Sequence, residues 1–185
     1  ANNELSGPTV TTYLAKWLQC LKHLKYTYRI IFIPETIGSI TYLSRNLDQL
    51  KKHVVAGFNI TCVGDDLAYS YLPSRMGKTL ADRVATHVLK HIADDWIKYT
   101  FLDKGSDERQ YCSPGIDLPL VSVMRSKYGT YPEYHTSLDN LDFISPSGLY
   151  GGYKAIRNCL WCLERNEKLK TTIFCEPQLG KRGLY

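Results

Sequence analysis

No stretch of the chain approaches the roughly 20 consecutive apolar residues that a membrane-spanning helix needs. The longest apolar run, Ile30 to Pro34, is closed at once by Glu35. No basic region followed by an apolar one opens the chain, so Ala1-Asn2-Asn3-Glu4 does not read as a secretory leader. A cytoplasmic location is the expectation. Internal repeats, low-complexity tracts and long linkers are also missing, and residues 1–185 read as one unit. Excess charge is small: 23 basic against 18 acidic residues leave +5, and the densest basic pairs are only Lys51-Lys52 and Lys181-Arg182. Charges so dispersed belong to a solvated surface, whereas a nucleic-acid partner asks for Lys and Arg clustered on one face. Zinc-finger spacing is lacking too. Cys159-Leu-Trp-Cys162 is a lone CxxC in a helical context, and no second Cys or His pair answers it. His87-Val-Leu-Lys-His91 sets two imidazoles one helical turn apart, without the Glu of an HExxH motif or a third ligand, and reads as an exposed pair.

What is present fits an ordinary globular domain. Hydrophobic residues make up 44% and charged ones 22%, and the mean hydropathy is −0.26, which excludes disorder, collagen and long coiled coil. The six cysteines include Cys20, Cys62 and Cys175 inside apolar stretches, as reduced, buried thiols of a reducing compartment commonly are. Ala1 opens almost directly on a helix-start signal, and Gly183-Leu184-Tyr185 carries no terminal cap. The chain is therefore expected to be a segment of a longer one.

Hydrophobic periodicity sets out the elements. Ser6-Gly7-Pro8 starts a helix that Val10, Leu14, Trp17, Leu18 and Leu21 carry to about Leu24, with Ser6 as its cap. Tyr26 to Ile33, rich in aromatic and β-branched residues, reads as a buried strand ended by Pro34. A short helix is expected over Gly38 to Asn46, a strand over Val54 to Val63, and an amphipathic helix over Thr79 to Ala93. Short strands follow at Ile97 to Leu102 and Leu118 to Met124, then a helix from Pro146 to Leu163 and a last strand at Thr171 to Cys175. Strands alternating with helices, and apolar on both faces, give an α/β fold: a mixed, mostly parallel sheet covered by helices on both faces.

Sites in such sheets form in loops beyond the carboxyl ends of strands. The polar clusters follow that rule: Glu35, Asp65-Asp66, Asp107-Glu108 and His135 each fall after an expected strand. Glu35 either serves as a general base at a pocket floor or caps the next helix. His135 sits in Tyr131-Pro-Glu-Tyr134-His135-Thr-Ser-Leu-Asp139, either as a metal ligand oriented by Asp139 or Asp142 or as a surface histidine. Between strands, Ser106 to Cys112 gathers acid, base, phenol and thiol. There Asp107 is suited to a cation or a ligand histidine, and Arg109 to a carboxylate. Cys112 has no nearby histidine and reads as a passive thiol.

Four stretches in one order resemble the zinc aminopeptidase fold of the M28 type: Asn3-Glu-Leu-Ser-Gly7, Pro34-Glu35-Thr36-Ile-Gly38-Ser39, Gly105-Ser-Asp107-Glu-Arg-Gln-Tyr111 and Tyr134-His135-Thr-Ser-Leu-Asp139. They are more similar still to bacterial aminopeptidase-like domains of unknown function associated with polysaccharide biosynthesis. That likeness extends over most of the chain, through Val63 to Tyr69 and Glu176 to Tyr185. The resemblance implies Glu35 as the general base, His135 as a zinc ligand, Asn3 at the place of a metal-bridging Asp and Asp107 as a site-supporting Asp. Thr36 falls at the position of a ligand Glu and Thr61 near that of a further Asp, while an upstream ligand His would precede Ala1. Arg109 and Tyr134 are the expected substrate-binding residues. The implied cofactor is zinc, one ion at most, since an amide cannot bridge two cations as a carboxylate does and threonine is a poor zinc ligand. The implied reaction is metal-assisted hydrolysis of an amide in a peptide or amino-sugar conjugate by the complete protein. A non-catalytic binding or scaffold module of the same fold is the other expectation, with this segment inactive by itself.

Overall fold

A computed structural model describes residues Ala1–Tyr185. In chain order the elements are α1 (Ser6–Gln19), α2 (Ile37–His53), β1 (Gly57–Asn59), β2 (Ser70–Leu72), α3 (Leu80–Ile92), β3 (Ile97–Lys98), α4 (Glu108–Tyr111), β4 (Leu120–Met124) and α5 (Pro146–Arg165), with short 3₁₀ turns at Phe101–Asp103 and Gly180–Arg182. The four strands lie in the order β1-β4-β2-β3. β1 with β4 and β2 with β3 pair in parallel, while β2 with β4 is antiparallel. The mixed, mostly parallel sheet is thus present. No helix is long and apolar enough to cross a membrane.

Alternation along β4 decides the layers. Val121 and Val123 point into the larger core, where Val10, Leu14 and Leu18 of α1 meet Val84 and Val88 of α3 and Ile156 and Leu160 of α5. On the other face, Leu120 packs with Leu43 and Leu50 of α2 and Tyr111 of α4. Helices therefore cover both faces. α3 forms where Leu80, Val84, Val88 and Leu89 recur on one side, and Thr79 with Asp82 closes a capping box at its start. Ser145 accepts from the Gly148 amide to cap α5, with Pro146 at the first helical position.

The differences from expectation have local causes. α1 stops at Gln19, and Ser6 does not cap it. The Ser6 hydroxyl instead donates to the Asn2 carbonyl and accepts from the Val63 amide, tying the helix to the sheet. α2 runs on past Asn46 to His53, because Leu47 and Leu50 continue its apolar side. The long strand expected at Val54 to Val63 is regular only over Gly57–Asn59, and β2 lies in a stretch too short and polar to read as a strand. Tyr26 to Ile33 pairs with no strand, and Thr171 to Cys175 is an exposed turn.

Candidate active site

The site is assembled beyond the carboxyl end of β1 and of the Tyr26 to Ile33 stretch. Glu35 follows that stretch directly, and Thr36 turns the chain into α2 with φ of 62°, a conformation a β-branched residue rarely holds. Two contacts secure the turn: the Thr36 amide donates to Asp107 Oδ1 at 2.8 Å, and Arg109 donates to Thr36 Oγ1 at 2.8 Å. The side chain of Thr36 does not cap α2, and neither does Glu35 through any hydrogen bond. Glu35 stays open to solvent on one side. Its partial burial, and then the negative charge of Asp107, still push its carboxyl above the ordinary range, with Arg109 pulling the other way.

Across the crevice, Cys62 (φ 50°) and His135 (φ 57°) are also in the left-handed region. With Thr36, three of the five non-glycine residues with positive φ lie on the loops that bear the expected site residues. Strain of this kind persists where surrounding contacts over-determine the backbone. The Cys62 thiol donates toward Asn3 Oδ1 and lies 3.6 Å from the Tyr131 hydroxyl, and burial pushes its pKa up to about 11, so it is a passive packing group. Tyr134 stacks on the His135 ring at 3.9 Å between centroids. Its own hydroxyl is raised, chiefly by burial and further by Cys62, Glu35 and Glu4.

The expected residues divide accordingly. Asn3, Glu35 and Asp107 line one cavity, whereas His135 is exposed, stacked on Tyr134, and neither of these two residues lines that cavity. Asp139 does not orient His135; it accepts from the amides of Asn2 at 2.6 Å and Asn3 at 3.0 Å, holding the opening segment against the His135 loop. Asp65 is equally structural, taking bonds from Asn2 Nδ2, the Ser126 amide and hydroxyl, and the Leu67 amide. Cys112 donates to the Leu118 and Leu120 carbonyls, and His87 and His91 are exposed with no third ligand nearby. All six thiols are free.

Sequence reasoning passed over two anchors. Asn2, fully buried, accepts from the Gly64 amide and donates to Asp65. Glu108, also fully buried, accepts from the Gly105 and Ser106 amides, the Tyr128 hydroxyl and Asn59 Nδ2, and so fixes the Asp107 loop against β1. The only signal for Glu108 was its place in an acid-rich turn, since Tyr128 and Asn59 are distant in sequence.

The donors on hand do not make a zinc shell. No three His, Cys, Asp or Glu side chains converge closely enough to hold a metal ion. Asp107 is committed to the Thr36 amide, and Asn3 offers an uncharged oxygen that already accepts from Cys62.

A layered α/β domain with its polar residues at one end of the sheet, and these four loops in this order, defines an aminopeptidase-like fold. The chain belongs to the family described as domain of unknown function DUF4910, whose model matches residues 1–166. It is 46% identical over all 185 residues to a Clostridium acetobutylicum protein named for polysaccharide biosynthesis and an aminopeptidase-like domain, and covers 42% of that protein. The crystal structure of a candidate peptidase from the same organism superposes with a TM-score of 0.90 at 45% identity, over 99% of this chain and 43% of that one. A zinc aminopeptidase from Bacillus subtilis superposes with a TM-score of 0.72 at 20% identity, over 92% of this chain and 43% of its own, a likeness of fold. The chain therefore spans less than half the length of the relatives it matches.

Proposed function

We propose that this domain carries part of the active site of an amidohydrolase, and that the complete protein cleaves an amide in a peptide or amino-sugar conjugate in the service of polysaccharide biosynthesis. The observation that carries the reading is Glu35: a carboxylate in the turn that leads into α2, next to the strained Thr36, with its pKa raised by partial burial and Asp107. A carboxylate poised in that way takes a proton from an attacking water near neutral pH and returns it to the leaving amine. Arg109 donates to Thr36 Oγ1 and its charge opposes the upward shift of Glu35, so it supports the site from behind the Thr36 turn. Tyr134, stacked on His135, is the residue we assign to substrate contact on the His135 loop. Zinc, for which the Bacillus subtilis neighbour is named, would need ligands beyond those that these residues supply.

The test is hydrolysis of aminoacyl and N-acyl amino-sugar amides by the full-length protein and its Glu35→Gln variant. The variant is expected to lose kcat by about 10²- to 10⁴-fold, with an unchanged or slightly raised melting temperature. Equal turnover by both proteins overturns Glu35 as the base, and no turnover by either over the panel overturns the hydrolase reading and leaves a scaffold module, a role that Asn3 and Thr36 at expected ligand positions would suit.

A further inference from the structure

The outer side of α1 and α5, turned away from the core, mixes aromatic rings with cations. On α5 the exposed residues Tyr150, Lys154, Arg157, Trp161 and Arg165 recur at helical spacing and share one stripe. On α1, Tyr13, Lys16 and Trp17 form a second stripe beside it. The opposite sides of the same helices, with Val10, Leu14, Leu18, Ile156 and Leu160, are in the core. The two stripes meet at Trp17 and Trp161, whose ring centroids are 6.4 Å apart. Tyr13 is 62% exposed, Tyr150 64% and Trp161 42%. Contiguous aromatic surface left in water marks an interaction site.

The charge of this face has one sign. α1 holds no Asp or Glu, and the single acid of α5, Glu164, is engaged by the Tyr28 hydroxyl and the amides of Lys25 and Tyr26. Lys16, Lys154, Arg157 and Arg165 take part in none of the ion pairs. Arg157 lies 5.2 Å from the centre of the Trp17 ring, and Arg165 4.6 Å from that of Trp161. A guanidinium held over an indole keeps its N–H edge free, in a fixed place, for a phosphate or carboxylate.

These features define a partner. It is anionic, since four cations face it without a free acid among them. It is broad, since the α5 stripe from Tyr150 to Arg165 is about 22 Å long. It also accepts aromatic rings between its charges. The headgroup region of an anionic bilayer meets all three demands: Trp and Tyr settle there, and each nearby Lys or Arg is drawn to lipid phosphate. A nucleic acid fits less well, because roughly six to ten phosphate contacts hold one, more than four cations supply. We propose that the α1–α5 face docks the protein on an anionic membrane surface, with its aromatic rings among the headgroups and its four cations against lipid phosphates. The contact is peripheral and calls for no spanning helix. It is independent of the hydrolase reading, since none of these residues lines the cavity at Glu35.

Sedimentation of the full-length protein with lipid vesicles tests the proposal and reads no activity. Binding is expected to vesicles of equal parts phosphatidylcholine and phosphatidylglycerol, to fade as salt screens the charges, and to be absent with phosphatidylcholine alone. The double variant Arg157→Gln, Arg165→Gln is expected to bind about 30-fold more weakly, as the loss of two cations at the surface implies. Its melting temperature should not change, since both side chains are exposed. Arg45→Gln with Lys52→Gln, at exposed positions of α2 in the opposite layer, removes the same charge. That pair is expected to leave binding within about threefold, being far enough from the bilayer to be screened. No binding to the anionic vesicles, equal binding to the neutral ones, or the same weakening from both double variants overturns the proposal. Tighter binding of a DNA duplex than of the vesicles also overturns it, and assigns the face to a nucleic acid.

Discussion

Glu35 shows how a single residue can carry conflicting demands. Its raised pKa means that the ionised carboxylate is less favourable in the folded than in the unfolded chain. The sign follows: above the ordinary Glu pKa of about 4.3 the charge costs stability, and below it the cost disappears. Glu35→Gln in the 185-residue chain is therefore expected to melt at or slightly above the parent at pH 7, with no difference near pH 4, as differential scanning calorimetry would show. A clear loss of stability at pH 7 would assign Glu35 a structural role. Glu108, between Asp107 and Arg109 in the same turn, is the opposite case, since five different groups donate to a carboxylate wholly shut off from water. Glu108→Ala leaves those donors unsatisfied and is expected to cost about 3 kcal/mol or more in urea unfolding, against near-neutral behaviour for an exposed acid such as Asp142. The sequence placed Glu35 and His135 in loops but misjudged Asp139, which reaches back to Asn2 and Asn3 across more than a hundred positions. No local pattern encodes that contact.

At the scale of elements, helix α3 is written plainly in its sequence, through an apolar stripe and a capping box. Asp82, at its start, is buried and accepts from the Ser74 amide and hydroxyl, Tyr71 and Thr79. Burial alone would raise its pKa, but the hydrogen bonds from Ser74, Thr79 and Tyr71 outweigh that and hold it below the ordinary range. A lowered carboxylate contributes its stabilisation fully above the unfolded value of about 3.9 and loses it as pH falls through the folded one. Asp82→Ala should thus destabilise at pH 7 by about 2–3 kcal/mol, with the gap from the parent closing under strong acid. Urea titrations at both pH values check this. Helix α5 depends on close approach instead: a Cβ on Gly148 would fall on the Gly64 carbonyl, and one on Gly152 against Val63. Gly148→Ala is expected to cost about 1–3 kcal/mol through overpacking, or about 2–4 °C in Tm for each kcal/mol. Helices α1, α3 and α5 and strand β4 were readable because each buries a face against a neighbour within the chain. β2 was not, being a short piece in a polar stretch whose apolar side appears only once it lies between β4 and β3. Tyr26 to Ile33 was expected as a buried strand and is not one, since its apolar residues find no pairing partner among these residues.

Over the whole molecule, the sheet, its two helical layers and the loops around them form a recognisable aminopeptidase-like framework with one large cavity that Asn3, Glu35 and Asp107 help to line. The framework was legible because layer architecture follows from apolar patterning. The chemistry was legible only in part, because it depends on residues brought together from loops far apart in sequence. The coupling of Glu35 to Asp107 is the point at which structure and proposed activity meet. The direct test is the pH dependence of kcat/KM for the full-length protein and its Asp107→Asn variant on one amide substrate. The account predicts an acid limb above the ordinary Glu range in the parent, displaced to lower pH when the charge of Asp107 is removed. An acid limb that stays in place, or moves to higher pH, would contradict the assignment of Glu35 as the base.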